Sequence, residues 1–158
     1  MIPSGLPTHR ACATVIRNPK TEGAAVKTQH TQFAISLLAI GLVLLAAHWF
    51  KVWPMLGGHP FWSASVTYLG IGIGTVVAIF AHLILTKHPR WTKLLLGGFV
   101  SIAIIGITAS TYGKIDFVAS YGEDRLAGRI WYYGFIVFIA GIPGSITTTI
   151  RLVRGPHG

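Results

Sequence analysis

The sequence predicts an all-α, polytopic membrane protein built as an antiparallel four-helix transmembrane bundle. Three observations carry that expectation. Of 158 residues, 52% are hydrophobic and only 11% are charged, whereas soluble domains carry roughly 25% charged residues. A soluble globule with a mean hydropathy of +0.61 would leave large apolar patches in water, and disorder requires low hydrophobicity. Finally, four apolar stretches each reach the roughly 20 residues needed to cross a hydrocarbon core, and none contains Asp or Glu.

In chain order, residues 1–32 hold Pro3, Pro7 and Pro19, no apolar run and an excess of basic residues. They read as a largely disordered, basic tail. The four-span domain is expected over 33–153, followed by a short tail over 154–158. Span one covers about 33–53, with Lys51 near enough to its end to snorkel. The link 54–65 (PMLGGHPFWSAS) is rich in turn residues. Span two covers about 66–86, and 87–93 (KHPRWTK) is a tight turn in which Pro89 ends the preceding helix. Span three covers about 94–112. The connection 113–129 is the longest and is expected to hold a short interfacial helix. Span four covers about 130–150. Apolar residues cover every face of these segments, which disfavours surface-lying amphipathic helices. The strict alternation of a membrane β-strand is absent.

Basic residues orient the chain. Arg10, Arg17, Lys20, Lys27, Lys87, Arg90, Lys93, Arg151 and Arg154 fall on one side, and Lys51, Lys114, Arg125 and Arg129 on the other. Both termini are therefore expected in the cytoplasm. Trp53, Trp62, Tyr112, Trp131, Tyr132 and Tyr133 form an outer interfacial belt. The net charge of +9 thus reads as an orientation signal, with no need for nucleic acid. The surplus in the tail suits anionic lipid headgroups. The tail lacks the apolar core of a secretory signal, and its prolines interrupt a mitochondrial presequence pattern. A bacterial inner membrane is the expected location, with the mitochondrial inner membrane as the alternative.

The residues that carry chemistry are few. Cys12 is the single cysteine, so paired-thiol redox chemistry and thiolate metal sites lack their ligands. His48 and His82 are the ionisable groups well inside spans, where such groups are functional candidates. At 1.5 Å per residue they differ in depth by about 16 Å, too far to share one haem iron. His82 continues a small-residue stripe, Gly70, Gly74, Ala78, at four-residue steps, and is expected to face the helix that packs there. Coupled proton transport needs an intramembrane carboxylate, and none is present in the spans. Pro143 interrupts span four and is followed by Ser145, Thr147, Thr148 and Thr149. Their hydroxyls are expected to repair the helix locally, although they would also suit an anion path. The run Gly70-x-Gly72-x-Gly74 lacks the strand–turn–helix setting of a nucleotide fingerprint.

The expected helix-packing residues are Gly41, Gly70, Gly74, Ala78, Gly141 and Gly144, with Gly98 and Gly106 as further small residues. His48, His82, Ser145 and Thr148 form the candidate intramembrane polar site. No catalytic residue, metal ligand or cofactor is expected. The acids Asp116, Glu123 and Asp124, with Phe117 and Tyr121, suit a docking surface better than a reaction centre. The leading expectation is a non-catalytic subunit or partner-binding component of a larger membrane complex, its partners being lipid, another membrane protein or further copies of itself. A small oligomeric transporter or channel is the alternative, and an immunity or exclusion protein the second alternative.

Overall fold

A computed structural model describes the backbone of residues 19–59 and 61–154, and the side chains of 27–59 and 61–154. Residues 1–18, with Cys12, Arg10 and Arg17, and residues 155–158 lie outside the described residues. Helix α1 runs Pro19–Trp49, so residues 19–32 are helical and not the irregular chain expected there. The reason is local. Proline is tolerated at the first helical position, where its missing N–H would have no partner. The residues after it include Lys, Glu, Ala and Gln, all good helix formers. The helix also stops before Trp53. Lys51 takes a left-handed conformation (φ 56°), the N–H groups of Phe50 and Lys51 close on the Ala46 and His48 carbonyls, and a single-turn helix α2, Val52–Met55, follows.

Helix α3 spans Ser63–Lys87, and a 3-10 turn, Pro89–Trp91, leads into α4, Thr92–Ala119. Helix α5 spans Arg125–Arg154. The 113–129 connection is therefore much shorter than expected, because α4 continues to Ala119 and only 120–124 turn. Two features make so tight a reversal possible. Tyr121 (φ 56°) and Gly122 (φ 85°) are left-handed, with the Gly122 N–H closing on the Phe117 carbonyl at 2.9 Å. Asp124 then caps α5, its Oδ1 accepting from the Leu126 and Ala127 N–H groups at 2.9 and 3.0 Å. Four stretches, Lys27–Trp49, Ser63–Lys87, Pro89–Ala119 and Arg125–Arg154, are helices long and apolar enough to cross a membrane.

The chain divides into one unit ending at Gln32 and a second beginning at Phe33. Within the second, α5 is the organising helix, and its closest backbone approaches are to α4 and α3. The seam with α4 runs antiparallel. A β-carbon on Gly106 would strike the Phe138 amide and lie 2.8 Å from the Gly134 carbonyl, and one on Gly113 would lie 2.8 Å from the Ala127 carbonyl. Gly141 faces Ala103, and Gly144 faces the Phe99 ring. The pairing of α3 with α5 is parallel: Gly70 meets Ile139, and one turn later Gly74 meets Ala140 and Pro143. An up-and-down bundle would place its closest contacts between sequence neighbours, but here the second and fourth long helices make one of the two tightest seams. Helix α1 joins through side chains, Ile40 and Leu44 entering a core with Val66, Phe135, Ile136 and Ile139.

The outward faces are apolar. Ile35, Leu38, Leu42 and Val43 on α1, Val76 and Phe80 on α3, and Ile104 and Ile105 on α4 are all exposed. Among the described residues, Gly41 and Gly98 have no neighbour within 4 Å of a would-be β-carbon, so the expected packing of these two glycines is not seen there.

Candidate functional site

The two histidines occupy opposite ends of the α1–α3 pair. His82 is buried and stacks on the Phe33 ring at 3.9 Å. His48 lies 6.0 Å from the Tyr68 ring, and its buried Nδ1 has no hydrogen-bond partner. Tyr68 and His82 are both on α3, and their spacing along the helix corresponds to about 20 Å. The structure therefore does not bring the histidines together. It also gives His82 a contact the stripe did not foretell. Gly70 and Gly74 abut α5, whereas the His82 ring lies flat on a residue of α1.

In α5 the hydroxyls turn back onto their own helix. Ser145 Oγ donates to the Gly141 carbonyl at 2.8 Å, Thr147 Oγ1 to the Pro143 carbonyl at 2.7 Å, and Thr149 Oγ1 to the Ser145 carbonyl at 2.8 Å. The hydroxyls bond back to their own turns as expected, but none of these bonds goes to the Ile139 carbonyl, the one that Pro143 deprives of its helical donor. Thr148 is buried at 2% exposure and belongs to a seven-residue series with Ala127, Gly134 and Gly141. Every member of that series is buried. Helix α4 carries the matching series Thr92, Phe99, Gly106, Gly113, also buried throughout. A seven-residue spacing of small residues is the repeat of a left-handed helix pair. The four-residue spacing on α3 is instead the small-xxx-small pattern. Gly113 and Gly134 went unnoticed as packing residues because their signal has a period of seven, not four.

Two cavities accompany these seams. An open groove of about 260 Å³ between α4 and α5 is lined by Val100, Ile104, Ile107, Phe138, Ile142 and Ser145. Its chemistry is that of an acyl chain or an apolar side chain, since the one hydroxyl among these residues donates to Gly141. At the other site the aromatic residues nearly fill their space, leaving about 10 Å³ among His59, Trp62, Trp131 and Phe135. His59 stacks on Trp62 at 4.2 Å and meets Trp131 edge-on at 4.7 Å. Its Nδ1 accepts from the Phe61 N–H at 3.2 Å, and burial lowers its pKa from the ordinary 6.5. Trp131 Nε1 donates to the Gly57 carbonyl at 2.9 Å, tying the α2–α3 link to α5. This cluster is a packed clasp, with no room for a ligand. Among the described residues, no group of three or more His, Cys, Asp or Glu is placed to hold a metal ion.

One site residue was missed altogether. Arg151 Nη2 donates to the Leu85 carbonyl at 2.8 Å, across from α5 to α3, while its Nη1 is buried without a partner. The parallel pairing sets two helix C-termini side by side, and their partial negative charges are offset by a cation in the last turn. Sequence reading counted Arg151 only for orientation, because the parallel neighbour is not visible in one dimension. Comparison with known protein families, curated proteins and solved structures finds no match.

Proposed function

We propose that this chain is a multi-pass membrane protein acting as a non-catalytic, partner-binding subunit of a larger membrane assembly. The observation that carries the reading is the division of labour among its helices. Small residues consolidate α3, α4 and α5 into one packed unit, while the 33–49 stretch of α1 adds a largely apolar surface anchored at a few side chains. Such a surface is solvated by lipid or covered by another membrane helix. The intramembrane hydroxyls of Ser145, Thr147 and Thr149 are engaged within α5, which favours a packing role for that helix over an ion path. An orientation with both termini in the cytoplasm, in a bacterial inner membrane, accords with the basic bias.

Gentle solubilisation and native affinity capture test the reading. A stoichiometric membrane partner is the expected result. An isolated homo-oligomer that gives solute or anion flux in liposomes would replace it with the transporter reading.

A further inference from the structure

The turn between α3 and α4 and the last turn of α5 meet at one end of the packed unit, because Arg151 bonds to Leu85 there. Lys87, Arg90 and Lys93 are all exposed around that end. The described carboxylates, Asp116, Glu123 and Asp124, belong instead to the opposite turn of α4 and α5. The Arg151 charge answers the two helix termini. That term amounts to about half an elementary charge at each helix end, against a full charge on each of four basic side chains. The end therefore carries a positive surplus that its own described side chains do not neutralise. It also lies where long apolar helices terminate, the level at which lipid phosphates sit.

We propose that this end binds a phosphate group, with Lys87, Arg90 and Lys93 as the direct contacts and Arg151 as the fixed charge behind them. Arg151 is the positioning member. Its Nη1 is buried and out of a ligand's reach, but its bond to Leu85 holds the α5 terminus, and its charge, against the turn that carries the three exposed cations. The shared chemistry is a phosphate mono- or diester anion, supplied either by an anionic phospholipid headgroup or by a soluble phosphate. The inference needs the chain to be membrane-embedded only if the lipid is the source, and it does not depend on the subunit reading.

The test is thermal unfolding of the full chain in neutral detergent, with phosphatidylglycerol, phosphatidylcholine, oleate or sodium phosphate added. Phosphatidylglycerol is expected to raise the melting temperature by several degrees more than phosphatidylcholine or oleate. The combined variant Lys87→Gln, Arg90→Gln, Lys93→Gln should lose that difference, whereas Arg125→Gln, a charge removed from the opposite end, should keep it. Arg151→Gln should reduce it. If that variant does not fold, the triple variant decides, since its three side chains are exposed. A matching shift with sodium phosphate, lost in the triple variant, would assign the site to soluble phosphate. Equal shifts with phosphatidylglycerol and oleate, or a shift that survives in the triple variant, would overturn the proposal.

Discussion

Helices α4 and α1 are both long and apolar, yet they are held in different ways. Helix α4 meets α5 backbone to backbone, with Gly106 and Gly113 opposite Gly134 and Ala127. Among the described residues, the 33–49 stretch of α1 meets its neighbours through side chains, with Phe33, Ile40, Leu44, Ala47 and His48 among them, and its Gly41 faces open space. In lipid, apolar area alone does not separate these cases, because acyl chains solvate Leu and Ile as well as another helix does. What distinguishes the α4 seam is the number of atoms at van der Waals distance once side chains are removed from between the backbones.

The largest expected effect comes from filling the seam. Gly106→Ala puts a β-carbon onto the Phe138 amide, and neither backbone can yield without parting the helices. A loss of about 3 kcal/mol is expected, measurable by reversible unfolding in mixed micelles. A neutral result would mean that α4 and α5 are farther apart than described.

Next is Gly74→Ala on the parallel seam, where the nearest atoms are the Ala140 carbonyl oxygen at 2.7 Å and Pro143 Cγ at 3.0 Å. About 2 kcal/mol should be lost, and the same unfolding assay reads it. Trp131→Phe keeps one aromatic ring but trims the buried indole and removes its bond to the Gly57 carbonyl. That change should lower stability by about 1 kcal/mol and speed hydrogen exchange in the 56–59 link. Gly41→Ala is the counter-case. With no atom in the way, helix propensity should raise stability by up to about 0.5 kcal/mol. A clear loss there would reveal a neighbour for α1 that this chain alone does not contain.

The smallest effect concerns His59. Its folded pKa is held below 6.5 by burial, so the unfolded chain binds the proton more readily. The contribution of His59 is full above pH 6.5 and is lost as pH falls through the lowered folded value. Trp62 and Trp131 fluorescence should report this loosening on acidification, and His59→Gln should abolish that step. A pH response unchanged in the variant would move its origin elsewhere.

Much of the architecture was legible. Long acid-free apolar runs marked the four helices, and the four-residue stripe Gly70, Gly74, Ala78 marked a close-packed face of α3. Element ends were less legible, because Asp124 and Tyr121 had to be recognised as a cap and a left-handed stop, and because Pro19 was weighed as a breaker in a position where it is tolerated. Gly41 and Gly98 meet no neighbour within the described residues, for a different reason. A sequence shows that a residue is small, not what stands opposite it.

By itself the sequence determined the number of long helices, their apolar character and the gathering of basic residues near particular ends. Each of these depends on composition and spacing within one segment. Only the tertiary structure decided that α5 is central, that α3 and α4 both pack backbone to backbone against it, and that Arg151 bridges two helix termini. Those outcomes depend on which backbones can approach, and a contact between Gly74 and Pro143 joins residues whose compatibility exists only once both helices are in place.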